Sequence, residues 1–486
     1  MKATILKLWN SPTFTTWGNQ LTQSFRLLLV TPLILSHFNQ TEIAAWYLFA
    51  TLNFFGLIVG QRLGVSFSRM ISFAMGGATD LSPIADSKKV RDVGTVSWKS
   101  IARTLGTLGL IQSGIAWLNM AIATGMGYLA LSSLLENYNE KEKIWIAFVI
   151  MQVSSLISFI YNRYGIVLQG MNHVAVVNRW NIIFNFASIV TGVFALKLGV
   201  GLWELALVMQ SVYLGSILRN RFLLRYYTRG KISNIDRISW DADIARWAWG
   251  PTWRGFIGQF TNVGLAQLSG VIFAIYAAPG AVATYLFTLR MIDTISNFSH
   301  ATVTSKIPVC SKLLVRGDIE GVAKIFYKRV SLAGWLAFSA FVVIGVSGGW
   351  LLKLVDANIS FISPQLWFVF ALLASMKGYL NLAAMPCGFG NRVIFHWRYL
   401  VAALVALSIL PFMLPRYGII GIIVSLWAPI IVVLNFAPFI EAAKVLHVQP
   451  MTVVRRTVLP FALFACFVVV YLLLMPSVTA MQGTKL

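Results

Sequence analysis

Apolar runs of about 20 residues, separated by short polar joints, recur from one end of this chain to the other. The pattern predicts about thirteen helices, over 15–38, 43–68, 104–131, 144–169, 174–198, 202–223, 252–278, 281–305, 330–352, 365–388, 395–414, 418–440 and 457–475. An α-helix needs about 20 apolar residues to cross the hydrocarbon core of a bilayer, and each run is close to that length. The strands of a transmembrane barrel alternate over about 10 residues, so these long uniform runs exclude a barrel. The expected fold is an all-α polytopic membrane protein.

The order of the runs repeats. Ser11-Pro12-Thr13-Phe14 precedes the first run and Gly250-Pro251-Thr252-Trp253 the seventh. Tyr47-Leu48-Phe49 follows Pro12 by 35 residues, and Tyr285-Leu286-Phe287 follows Pro251 by 34. Gln169-Gly170-Met171 and Cys387-Gly388-Phe389 close matching runs, and Leu198-Gly199-Val200-Gly201 and Tyr417-Gly418-Ile419-Ile420 open matching ones. The repeat predicts two six-helix bundles: an N-lobe over 1–230 and a C-lobe over 251–450, joined by a cytoplasmic linker at 231–250. An even number of spans per lobe starts both lobes on the same side, so they are expected to be related by a pseudo-two-fold axis along the membrane normal. Residues 451–486 hold at least one extra C-terminal helix and a tail.

Composition sharpens this picture. The 486 residues are 58% hydrophobic and 11% charged, and mean hydropathy is +0.74; a soluble domain carries about 25% charged residues. The net charge of +23 raises the question of nucleic acid, and the distribution answers it. Basic residues concentrate in alternate loops: Lys88, Lys89, Arg91 and Lys99; then Arg219 to Arg237; then Lys312 to Arg329; then Lys444, Arg455 and Arg456. That alternation is the positive-inside signature, which places these loops and the N-terminus (Lys2, Lys7) in the cytoplasm. No nucleic-acid partner is expected, while contact with anionic membrane lipids is. Met1–Asn10 shows no signal-peptide core. Cys310, Cys387 and Cys466 have no ligand spacing, so neither a metal nor a cofactor is expected. Gly56, Gly60, Gly64 and Ser68 lie four apart, the spacing that lets a neighbouring helix approach closely.

The charges inside the runs are the candidate chemistry. A cation at mid-helix costs roughly 2.5–3.5 kcal/mol on insertion scales and is tolerated where it faces a bundle interior or a wet cavity. This chain holds Arg26, with Asn19 and Gln23 on the same face, then Arg62, Arg254, Arg290 and Lys377. In the eighth run Arg290, Asp293, Asn297 and His300 follow a helical spacing, and Arg290 is positioned to pair with Asp293 across one turn. Asp293 is the one clear mid-span acid, with Glu204 near the outer end of its helix. A cavity lined by these groups carries a positive field and favours an anion; guanidinium forks suit phosphate. No catalytic set is visible, and the short outer loops argue against an enzyme.

The two six-helix lobes, Arg26 in the first span and the Tyr285-to-Arg290 opening of the eighth resemble the multidrug/oligosaccharidyl-lipid/polysaccharide (MOP) exporter superfamily. FFGLIVGQRLGVSFSRMISFA (54–74), LQGMNHVAVVNRWNIIFN (168–185) and SKLLVRGDIEGVAKIFYKRV (311–330) resemble its Wzx-type polysaccharide, or O-antigen, flippases. The resemblance implies a V-shaped pair of bundles in the cytoplasmic (inner) membrane, alternating between inward- and outward-open states. It implies a polyprenyl-diphosphate-linked oligosaccharide as cargo and a polysaccharide polymerase or export machinery as partner. The sister lipid II flippases use cavity arginines in the first, second and eighth helices, which Arg26, Arg62 and Arg290 match. Those flippases have fourteen spans, against about thirteen here.

Three functions follow for comparison. In a flippase the diphosphate sits on the cavity cations Arg26, Arg62, Arg254, Arg290 and Lys377, with Asn19, Gln23 and Asn297 as polar lining and Asp293 or Glu204 coupling an ion. A MATE-like cation or drug antiporter wants acids where this chain has bases. A membrane polysaccharide polymerase or glycosyltransferase wants a large outer loop with catalytic groups.

Overall fold

The computed structural model describes residues 11–77, 95–232, 234–389 and 394–474. Lys2, Lys7, Lys88, Lys89 and Arg91, on which part of the topology rests, and the tail beyond 474 lie outside the described residues. Among the described residues the regular structure is helical throughout, with no strand. Every one of the thirteen predicted runs overlies a helix. The chain divides into two compact units, Met1–Phe256 and Ile257–Leu486.

The first unit contains α1 (Pro12–His37), α2 (Gln40–Met75), α3 (Trp98–Leu134), α4 (Lys141–Gly170), α5 (Val174–Lys197), α6 (Leu202–Thr228) and most of α7 (Ala242–Gln259). Helix ends are set locally. Asn39 caps α2 by accepting from the Glu42 amide at 3.0 Å, and Glu42 returns the bond to the Asn39 amide at 3.1 Å, so two otherwise orphaned donors are satisfied together. The small-residue stripe of α2 does what its spacing predicts. Gly60 lies against Phe159 of α4 and Gly64 against Ile166 of α4, while Gly56 lies against Asn119 of α3. At the end of α4, Ser72 Oγ donates to the Gly170 carbonyl at 2.9 Å. A Cβ on Gly170 would lie 2.6 Å from Ile71 Cβ and 2.7 Å from the Ser68 carbonyl oxygen. Backbone meets backbone there, and only glycine fits.

The second unit continues from the end of α7 through a π-helical turn (Phe260–Gly264) into α8 (Leu265–Tyr276) and α9 (Pro279–Thr304). Then come α10 (Ile307–Val315), α11 (Ile319–Leu354), α12 (Pro364–Ala383), α13 (Met385–Phe389), α14 (His396–Leu434), α15 (Ala437–Leu446), α16 (Pro450–Thr457) and α17 (Leu459–Leu474). Helix α14 is two helices meeting at Gly418, whose φ of 54° is open to glycine and strained for most other residues; this is where the sequence pattern separated 395–414 from 418–440. The core is aromatic. Trp367 is fully buried and donates from Nε1 to the Phe341 carbonyl at 2.9 Å, in space that Gly345 leaves open.

Large apolar side chains also cover the outside of both units, for example Trp117, Phe186 and Phe194 in the first and Val346, Phe412 and Leu473 in the second. Water would not tolerate that surface, whereas lipid does. Seven described helices, or eight if α16 and α17 form one bent span, are long and apolar enough to cross a membrane by composition alone. That is fewer than the thirteen runs. Helix α9, with its charged stripe, is among those that fall short, and a span of that kind relies on neighbouring helices to shelter its polar face.

Candidate functional site

The second unit gathers a polar cluster around α9 and α12. The π turn begins the arrangement. It carries an extra residue in its ring, a distortion found often at functional sites. The carbonyl of Asn262, within that turn, accepts from Lys377 Nζ of α12 at 2.9 Å. The Lys377 ammonium also lies 4.8 Å from the Trp427 ring centre, close enough for cation–π attraction. The side chain of Asn262 exchanges two amide bonds with Asn381, at 2.9 and 3.0 Å. Tyr399 donates to Asn381 Oδ1 at 2.8 Å, and its carbonyl accepts from Thr261 at 3.1 Å. One turn of α8 onward, Gln267 donates to Asp293 Oδ2 of α9 at 2.9 Å.

Asp293 interacts electrostatically with Lys377 and with Arg290. It makes no ion pair with Arg290 within 4.0 Å, contrary to the pairing expected across one turn. An acid that follows a base along a helix is the less favourable order for such a pair, and Gln267 offers the carboxylate a donor from the neighbouring helix instead. Arg290 is half-buried, as are Lys377 and Asp293, whereas Asn297 is exposed. His300 fits beside Gly378, where a Cβ would lie 3.1 Å from its Nε2. The predicted stripe of α9 thus splits: Asp293 and His300 reach into the unit's own helices, and Asn297 does not.

The first unit holds the other predicted residues. Arg26 is half-buried on α1 and Gln23 is exposed. Asn19 accepts from Asn185 of α5 at 2.9 Å, and Asn185 also donates to Thr22 at 3.2 Å. Arg62 is half-buried on α2 and lies along Gly255 of α7, where a Cβ would be 2.9 Å from its Cδ. One turn on, Ser66 meets Thr252 of α7 at 3.0 Å. Arg254 is exposed beside Trp253, 5.9 Å from its ring centre. Glu204 lies in the first turn of α6, its carboxylate folded back toward Gly201. A helix N-terminus favours a negative charge there on its own account. Asn19 joins a network with α5, while Glu204 stays at the helix end.

Several polar residues escaped the sequence reading. Asn178, Asn181 and Asn185 line one face of α5, a three-and-four spacing visible in the sequence. Asn178 donates to Thr16 at 2.8 Å, and Asn181 accepts from Arg219 of α6 at 2.8 Å. Arg163 lies inside the run 144–169 and is 5% exposed. It donates to the Tyr164 hydroxyl at 2.8 Å, in a gap that Gly109 of α3 leaves open. Tyr164 donates in turn to Asp236, which also accepts from Arg221 Nε at 2.8 Å. The Arg221 bond, with the Tyr164 bond behind it, holds the Asp236 carboxyl down at about 2 against the opposing effect of burial. Asp241 binds Arg103, with Nε at 2.6 Å, and Ser239 donates to the Gly106 carbonyl at 3.3 Å. These contacts fasten the predicted linker to α3, α4 and α6.

Neither a protein-family profile nor a curated protein matches the sequence. Solved structures do match in architecture. The lipid II flippase MurJ, in an inward closed conformation, aligns over 94% of this chain and 98% of its own, with a TM-score of 0.60 at 11% identity. An inward-facing MATE family multidrug-resistance transporter of the MOP superfamily aligns over 87% of this chain and 94% of its own, with a TM-score of 0.59 at 13% identity. The chain has the MOP-superfamily fold. A MATE transporter of Vibrio cholerae shares it too, over 92% of this chain and 98% of its own, with a TM-score of 0.54 at 13% identity. At these identities the likeness is one of fold, and a fold does not fix the cargo.

Proposed function

We propose that this protein is a flippase for polyprenyl-diphosphate-linked oligosaccharide, an O-antigen or exopolysaccharide repeat unit, and not an enzyme. The observation that carries the reading is the sign of the half-buried charge among the candidate residues: Arg26 and Arg62 in the first unit and Arg290 and Lys377 in the second outnumber the acids Asp293 and Glu204. Arg26, Arg62 and Arg290 offer guanidinium forks to a diphosphate, and the low dielectric of a membrane protein strengthens each such contact. Lys377 is already committed to the Asn262 carbonyl and the Trp427 ring, so its part is to hold the field positive around Asp293. Arg254, exposed, meets headgroups or the approaching cargo. Asn19, Gln23 and Asn297 supply hydrogen bonds to sugar hydroxyls. Directed transport needs a ligand or ion that distinguishes the two access states, and Asp293 is the group proposed for coupling.

A fold shared with multidrug transporters raises the cation antiporter as a second reading. It needs an acid free to meet a cationic cargo, and here Asp293 already accepts from Gln267 and lies in the field of Lys377 and Arg290. Reconstituted protein should therefore move a labelled polyprenyl-diphosphate oligosaccharide between leaflets and leave behind a polyprenyl glycoside that lacks the diphosphate. Export of a cationic dye that stops on Asp293→Asn would favour the antiporter instead.

A further inference from the structure

Helix α17 is apolar on every side, and Leu459, Leu463, Val469, Val470, Leu473 and Leu474 are exposed along it. Such a helix belongs in lipid, and membrane helices tilt on average about 20° from the bilayer normal. Helix α16 meets it at 62°, so α16 lies far from that normal and close to the membrane surface. Its Val453 and Thr457 are buried against the protein, while Arg455 and Arg456 are exposed. Leu459 enters lipid only three residues after Arg456, which puts both guanidinium groups at headgroup depth.

A second helix brings two more cations to the same place. The Arg456 guanidinium lies 5.9 Å from the ring centre of Tyr327 on α11. Tyr327 is flanked on α11 by Lys324 and Lys328, one turn apart and both exposed. The apolar stretch of α11 starts at Val330, so these lysines also stand at its water-facing end. Lys324, Lys328, Arg455 and Arg456 make no ion pair within 4.0 Å among the described residues; Glu320, also exposed, is one turn before Lys324. Segments about 130 residues apart in sequence thus converge to put four unpaired cations at one headgroup level.

We infer that this patch binds the phosphodiester headgroup of an anionic phospholipid in the leaflet that faces the positive loops. The site rests on the membrane reading alone and is separate from the cargo proposed above. Arginine forks suit a phosphate diester, and each basic side chain at an anionic surface weighs roughly five-fold in lipid partitioning. The test is native mass spectrometry of the full chain titrated with phosphatidylglycerol against phosphatidylcholine. The wild type should retain phosphatidylglycerol preferentially, and rising salt should erode the preference. The combination K324Q/K328Q/R455Q/R456Q should lose it, while K353Q at the opposite end of α11 should keep it. Salt dependence reads the same property without any variant, should the combination fail to fold. Equal retention of the two lipids by the wild type would overturn the inference. So would a preference untouched by the combination, or binding of inorganic phosphate without any lipid preference. None of these results bears on leaflet transfer of the cargo.

Discussion

Lys377→Met should destabilise the second unit by about 3 kcal/mol, and most of that loss should vanish when Asp293→Asn is added. Three opposing contributions set the worth of Lys377 by itself. The charged hydrogen bond to Asn262 contributes about 1.5–3 kcal/mol. The Trp427 contact at 4.8 Å adds up to about 2 kcal/mol where it is desolvated. Taking the ammonium out of water costs several kcal/mol, which offsets both. The net worth of Lys377 by itself is therefore small. What the variant exposes is Asp293, left with its Gln267 donor and the field of Arg290 alone; a sequestered charge stripped of a compensating partner costs up to about 3–5 kcal/mol. Methionine keeps the length and apolar contacts of the lysine stem, so the loss reports charge rather than a cavity. The assay is a double-mutant cycle on unfolding in detergent, with wild type, both single variants and the double variant. A coupling of about 1–3 kcal/mol is expected for groups in one network. Additivity within about 0.5 kcal/mol would refute the reasoning, because it would mean that Asp293 does not depend on Lys377.

Other consequences concern the framework. Asp236 is held from its ordinary 3.8 down to about 2 by Arg221 and Tyr164. A carboxylate depressed on folding stabilises the protein above its unfolded value and loses that contribution as pH falls through the folded one. The stability gap between wild type and Asp236→Asn should therefore be full above about pH 4, and it should close by about pH 2; a gap constant down to pH 2 would count against the network. Gly170→Ala sets a methyl against the Ser68 carbonyl and Ile71 and should cost about 1–3 kcal/mol, read as a lower unfolding temperature; no change would mean that α2 and α4 are not in backbone contact there.

Much of the fold was written in the apolar runs, because a bilayer demands a length of hydrocarbon-compatible helix that few other structures need. The runs found every long helix. They missed α10, α16 and most of α15, and they did not separate the short α13 from α12. The interruption of the seventh run at Phe260–Gly264 was also hidden, since a π turn changes hydrogen bonding without changing hydropathy. The charges were legible as types and positions, but not their partners. Arg290 and Asp293 share a helix face, yet Asp293 turned to Gln267 on another helix. Arg163 was overlooked because one arginine barely lowers the hydropathy of its run, although Gly109 opposite it makes the space. The asparagines of α5 had a readable period, and their link to Thr16 and Asn19 required the packing of α1 on α5.

The central claim is that half-buried arginines hold the diphosphate of a lipid-linked cargo. The most direct measurement is leaflet transfer of a labelled polyprenyl-diphosphate oligosaccharide in liposomes containing the purified protein, wild type beside Arg290→Ala at equal insertion. Losing one charged phosphate contact of about 1.5–3 kcal/mol corresponds to a drop of roughly ten- to a hundred-fold in transfer, and that drop is the predicted result. Unchanged transfer by Arg290→Ala would contradict the account.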